Sequence, residues 1–228
     1  MHRVTLIVYP GFELLDVSGP ASVFNGANRA LGQRGQSAFY KIVIASAEGG
    51  AVESSSGVAM ETLQIAELVP GTVDTVLVVG AEREPLLKAV ADPALRASLP
   101  RLASEAERFG SVCTGGFVLA ALGLLDGRRI ATHWDSCEPF AKTFPKVTVD
   151  HDALYVVDGR LWTSAGVTTG IDMALAMVSR DLDAAIAGEV ARRLVLYARR
   201  PGYQSQFSPI LEAQVKGDSP FDDLIGWI

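Results

Sequence analysis

A strand, turn and helix unit that recurs along the chain limits the possible folds more than anything else in the sequence. Residues 3–8 form a short apolar, β-branched run that Pro10-Gly11 ends at a turn. A helical pattern follows through Val23, Phe24, Ala27 and Leu31, with Asp16 and Ser18 as alternative N-caps and Pro20 in the first turn. Residues 40–45 and 75–79 read as further buried strands and 93–109 as a long amphipathic helix. Residues 111–112 read as a strand entering a glycine-rich turn before a helix at 117–122. Strands alternating with helices imply an α/β fold, with a mostly parallel sheet covered on both faces. Two segments read as hairpins: 52–62 around Gly57, beside the main sheet, and 154–163, turning at Asp158-Gly159. Helices at 167–179 and 182–199 come next, the second stopped by Pro201-Gly202.

The 228 residues, 49% of them apolar, suffice for one domain with its own core. After residue 200 the texture changes. Residues 203–223 mix Gln, Ser, Gly, Pro and Asp as a linker does, and Leu224, Ile225, Trp227 and Ile228 suit the first turn of another packed element. The expectation is therefore a domain over 1–200, then a linker and the start of a further domain over 201–228. The net charge of −6 lacks the basic stripe that neutralises DNA phosphates, and Arg192, Arg193, Arg199 and Arg200 fit a solvated helix face. With two cysteines, no leader after Met1 and no apolar run near the roughly 18 residues of a membrane helix, the chain fits a reducing cytoplasm without a membrane partner.

The run Ser111-Val112-Cys113-Thr114-Gly115-Gly116 sets a nucleophile-type residue directly after a strand, with glycines where the backbone must turn sharply. A cysteine there lies near a helix N-terminus, which favours thiolate, and the Thr114 amide would point where an oxyanion or carboxylate could bind. The plainer reading of Cys113 is a small buried apolar residue. Asp16 closes the turn after the first strand, so it serves either as helix cap or as an acid at the same sheet edge, able to share a proton with Cys113. Gly80 ends the 75–79 strand and could let the Ala81 amide approach a ligand; simple turn geometry is the alternative. His133, in Thr132-His133-Trp134, either pairs with Cys113 or packs beside Trp134, and Cys137 reads as packing. No pair of histidines or cysteines has metal-ligand spacing, and no motif calls for a cofactor.

The elbow at 111–116, with Leu15-Asp16-Val17-Ser18-Gly19-Pro20 upstream and Thr132-His133-Trp134 downstream, resembles the ThiJ/PfpI superfamily. That resemblance implies a flavodoxin-like three-layer sandwich of the class I glutamine-amidotransferase type. The segments 161–172 (LWTSAGVTTGID) and 199–207 (RRPGYQSQF) resemble one branch, the N-terminal domain of GlxA-type, AraC-family transcription regulators. Several roles follow from the resemblance. Cys113 matches the elbow cysteine, Asp16 the acidic partner in isocyanide-hydratase relatives, and Thr114 and the Ala81 region the anion-binding amides. The histidine that follows the elbow cysteine in the peptidase branch is Thr114 here, and Val79-Gly80-Ala81 stands in place of that branch's Pro-Gly-Gly. The function implied is ligand sensing near Cys113, with DNA reached only through a C-terminal helix-turn-helix domain absent from this chain. A homodimer is expected for such a regulator. The alternatives are a cysteine-dependent isocyanide hydratase, using Cys113 and Asp16, and a redox-responsive cysteine protein.

Overall fold

Along the first strand Val4, Leu6 and Val8 join one buried cluster while Ile7 and Tyr9 join another. Side chains alternate across the sheet with period two, so each buried strand feeds two cores. The computed structural model describes residues 1–69 and 71–206. The elements run β1 (His2–Ile7), α1 (Leu14–Gln33), β2 (Tyr40–Ser46), β3 (Gly50–Glu53), β4 (Ala59–Gln64), β5 (Thr75–Val78), α2 (Arg83–Ala91), α3 (Pro93–Glu105) and β6 (Arg108–Val112). They continue α4 (Gly116–Ala121), β7 (Arg129–Ile130), α5 (Cys137–Thr143), β8 (Thr148–Val149), β9 (Tyr155–Asp158), β10 (Leu161–Ser164), α6 (Thr169–Asp181) and α7 (Ala184–Arg193). The main sheet has the order β3-β4-β2-β1-β5-β6-β10-β9, and β7 pairs with β8 apart from it. From β4 to β10 all neighbours are parallel, and only the two edge pairings, β3 with β4 and β9 with β10, are antiparallel.

Helices α1, α6 and α7 cover one face through Phe24, Ala27, Met173, Met177 and Val190. Helices α2 to α5 cover the other through Leu86, Leu99, Leu102, Leu119 and Phe140. This is the flavodoxin-like three-layer sandwich. Among the described residues no helix is long and apolar enough to cross a membrane.

Several boundaries differ from the sequence reading. The 52–62 hairpin is part of the main sheet, because Ala45 and Ser46 of β2 pair with Leu63 and Gln64 of β4. Helix α1 is capped by Glu13, whose carboxylate accepts from the Leu15 amide, so Asp16 lies within the first turn and neither Asp16 nor Ser18 is the cap. Helix α3 stops at Glu105, and β6 begins at Arg108, three residues before the expected strand. The reason is an ion pair: Arg108, buried in the strand, donates to both oxygens of Asp181 and to the Thr75 hydroxyl.

Helix α7 ends at Arg193, well before Pro201, because Val195 takes a left-handed conformation (φ 56°). The Leu196 amide then reaches back to the Ala191 carbonyl and the Val195 amide to that of Arg192, the paired bonds of a Schellman stop usually built on glycine. Arg200 consequently leaves the helix and pairs with buried Asp172 of α6 rather than lying on a solvated helix face. Of the expected linker, 203–206 lie against the body of the domain; the rest, and the apolar end at 224–228, fall outside the described residues.

Candidate functional site

The C-terminal ends of β1, β5, β6 and β10 meet at one sheet edge, the position where open α/β sheets bind ligands. Cys113 follows β6 in a 3-10 turn, buried at 8% exposure and in the left-handed region (φ 57°), which a side chain rarely occupies. Three glycines make room for it. A Cβ on Gly80 would lie 2.6 Å from the Cys113 Cβ, one on Gly166 2.2 Å from it, and one on Gly115 2.1 Å from the Val78 carbonyl oxygen. The glycines after the cysteine and after β5 and β10 therefore answer a need for close backbone approach, beyond the turn itself.

Asp16 reaches this edge from the first turn of α1 and is fully buried. Its Oδ2 accepts from the Gly80 amide (3.0 Å), its Oδ1 from the Val167 amide (2.7 Å), and it hydrogen-bonds the Cys113 thiol. Burial pushes the Asp16 carboxyl from 3.8 to about 7, with a small further rise from Glu13; the two amides and the thiol bond pull the other way. Burial also pushes the Cys113 thiol well up. The Asp16 charge adds to that rise, against smaller opposing effects of the Thr114 amide and hydroxyl. Asp16 therefore ionises before Cys113, and two backbone amides solvate its charge when it does. The thiolate expected from the helix N-terminus is corrected accordingly. Helix α4 spans only six residues, and its field is weak beside burial and a carboxylate in contact.

Thr114 engages Ala81 on both sides: the Ala81 amide donates to Thr114 Oγ1 (2.9 Å), and that hydroxyl donates to the Ala81 carbonyl (2.8 Å). The Ala81 amide is thereby occupied, whereas the Thr114 amide faces the Cys113 sulfur. The Gly80 amide is occupied by Asp16. His133 is half-buried with its ring against Trp134, centroids 5.5 Å apart, and makes no hydrogen bond to Cys113 among the described residues. Cys137 is buried, with its thiol directed at the Thr132 and His133 carbonyls.

Three site residues escape the sequence reading. Tyr9, two residues past the end of β1, is buried and donates to the Val79 carbonyl, its phenol pushed up chiefly by burial and then by the Asp16 charge. Thr132 donates to the Cys113 carbonyl (3.0 Å). Val167 supplies an amide to Asp16 while held at φ 51°. The Ser164-Ala165-Gly166-Val167 run is the available signal, since a glycine directly after a buried strand often marks close backbone contact.

Among the described residues no cluster of three or more His, Cys, Asp or Glu could hold a metal. A shallow cavity of about 500 Å³ lies at the opposite edge, near Leu31, Phe39 and Ile186. Its acids are already engaged, Asp181 by Arg108 and Asp183 as the α7 cap.

The HTH-type transcriptional regulator GlxA of Rhizobium meliloti (strain 1021) is 31% identical to this chain over 191 residues, covering 84% of the chain and 56% of that protein. The chain spans about half the length of the curated regulators it matches in this way. The isonitrile hydratase of Pseudomonas putida is 36% identical over 103 residues, 45% of this chain and 43% of that enzyme. Among solved structures, a ThiJ/PfpI family protein from Pseudomonas syringae superposes with a TM-score of 0.74 at 27% identity, over 88% of this chain and 77% of the other. The DJ-1/PfpI family model matches residues 2–180, which contain the whole elbow site, and the chain belongs to that family.

Proposed function

We propose that this chain is the ligand-sensing domain of an AraC-type transcriptional regulator. A small polar or carboxylate-bearing metabolite sits over Cys113, Thr114 and Asp16, close to Gly80, Ala81 and His133, and DNA is contacted through a separate helix-turn-helix domain. On this reading the protein works in the cytoplasm as a homodimer and needs no cofactor. What carries it is the geometry of the elbow: Cys113 is buried, among the described residues no imidazole hydrogen-bonds it, and burial together with the Asp16 charge pushes its thiol up, away from the nucleophilic form. Similarity to regulators such as GlxA over most of the chain supports the same reading. A redox role needs an exposed, low-pKa thiolate, and Cys113 is neither exposed nor low.

The test is the DNA affinity of this chain, across salt concentrations, beside the same chain extended through whatever its gene encodes after Ile228. Sequence-selective binding by the longer protein alone is the expected result. Selective binding by neither protein would overturn the proposal.

The Asp16–Cys113 hydrogen bond favours one second reading, isonitrile hydration. Ionised Asp16 would take the Cys113 thiol proton and pass it to the isonitrile carbon as the sulfur adds there, and water would then add to that carbon and expel the sulfur as the thiol, leaving an N-substituted formamide. That reading requires turnover of an aryl isonitrile that Cys113→Ala abolishes.

A further inference from the structure

Two separate hydrogen-bond routes join the elbow site to the segment 200–206. On the first, the Thr132 hydroxyl donates to the Cys113 carbonyl (3.0 Å), and the Thr132 carbonyl accepts from Gln206 Nε2 (3.1 Å). Gln206 is fixed further by its amide on the Asp152 carbonyl (2.9 Å) and by Nε2 on that of Ala153 (3.1 Å). On the second, Asp16 accepts from the Val167 amide, and the next residue, Thr168, accepts at Oγ1 from the Arg200 guanidinium (3.0 Å). Arg200 also binds both oxygens of Asp172, through its own amide (3.1 Å) and its guanidinium.

The loop 165–168 between these contacts is strained. Val167 is β-branched and sits at φ 51°, where such a residue is held at a cost of the order of 1–3 kcal/mol. Its amide bond to Asp16 is what the left-handed turn gains in return. Gly166 of the same loop passes so close to Cys113 that a Cβ on it would stand 2.2 Å from the Cys113 Cβ. A group that takes over the Asp16 oxygens, or that displaces Cys113, removes the reason for the strained conformation, and relaxation of Val167 moves the Thr168 hydroxyl that Arg200 holds. Buried Asp172 has Arg200 as its one ion-pair partner among the described residues, so Arg200 is either docked or leaves a buried carboxylate uncompensated. A strained turn tied to a docked arginine through adjacent residues gives a physical route by which a change at one site reaches the other.

We infer that residues 200–206 are a strap that reads the state of the Cys113–Asp16 site, with Gln206 and Arg200 as its positioning residues. The inference deepens the sensing reading, since the strap lies directly before the segment expected to lead to a DNA-binding domain. The coupling itself needs no DNA to be measured.

By reciprocity, loosening the strap must loosen the elbow. The test uses this chain alone: iodoacetamide alkylation of Cys113 at fixed pH, followed by mass and peptide mapping to separate it from Cys137. Gln206→Ala and Arg200→Met are compared with the unchanged chain. Asp183→Ala, which removes the α7 cap on Ile186 away from the site, controls for general loss of stability. Each strap variant should raise the Cys113 rate about tenfold, within the usual range of coupling between sites, and the cap variant should leave it near its starting value. Prior alkylation of Cys113 should in turn speed amide exchange in peptides covering 200–206. Unchanged rates in both strap variants, or an equal rise in Asp183→Ala, would overturn the strap. A negative DNA-binding result would leave these rates unaffected, so the two ideas fail separately.

Discussion

Gly166→Ala should cost about 4 kcal/mol of folding stability, from a left-handed residue made to carry a side chain and from overpacking against a neighbour that cannot yield. Gly166 sits at φ 89°, and the added methyl would stand 2.2 Å from the Cβ and 2.5 Å from the Cα of Cys113. Neither atom can swing away, because Cys113 is fixed on its other side by Gly80 and by the Thr132 hydroxyl. The same change at Gly188 should act in the opposite direction. That glycine lies inside α7 with nothing within 4 Å of where the alanine methyl would stand, so alanine removes the helix penalty of glycine and should stabilise by about 0.5–1 kcal/mol. Urea unfolding of the two variants against the unchanged chain measures both. Equal and small effects would mean that the elbow and the loop after β10 are not in contact.

The second large effect is a pH dependence set by Asp16. Its carboxyl is raised from 3.8 to about 7 in the folded chain, chiefly by burial. A group raised on folding contributes its full stabilisation below its unfolded value, and the contribution is lost as pH climbs through the folded one. The protonated acid is therefore the form the fold prefers. Between about pH 4 and pH 7 the chain should lose stability at about 1.4 kcal/mol per pH unit from this group, about 4 kcal/mol in all. Asp16→Asn cannot titrate, so subtracting its profile isolates the effect. The asparagine turns one amide nitrogen toward the Gly80 or Val167 amide and adds a pH-independent cost of about 1–3 kcal/mol. Parallel profiles for the two proteins from pH 4 to 8 would show that Asp16 titrates normally.

How much of this is legible in the sequence depends on whether the controlling contact is local. β1 and β5 carry short apolar, β-branched runs that are buried on both faces from Val4 and from Thr75 onward, and their sequence locates them nearly to the residue. The start of β6 is hidden because the strand opens on Arg108, whose partner Asp181 is 73 residues away. A buried arginine in a strand makes sense only with that acid in view. The end of α7 is hidden because Val195 occupies a position that normally selects glycine. At the site, the cysteine elbow is readable from its glycines. The charge state is not, because the groups that decide it, Asp16 from α1 and the walls that bury Cys113, come from other parts of the chain. Residues 203–206 look like linker by composition, yet Gln206 finds backbone acceptors on the β8–β9 connection and at Thr132. Polar composition reports how a segment could be solvated, and the acceptors that hold it lie elsewhere.

The proposed sensing role requires a neutral thiol beside the buried Asp16 carboxyl, since a thiol that stays protonated is a poor nucleophile. Thiolate absorbance near 240 nm, followed from pH 5 to 10 in the unchanged chain and in Cys113→Ser, tests this directly. The difference between the two should stay flat to about pH 9, because burial and the Asp16 charge both oppose ionisation. A thiolate step at or below pH 7 that vanishes in Cys113→Ser would contradict the account and make Cys113 the nucleophile of an enzyme.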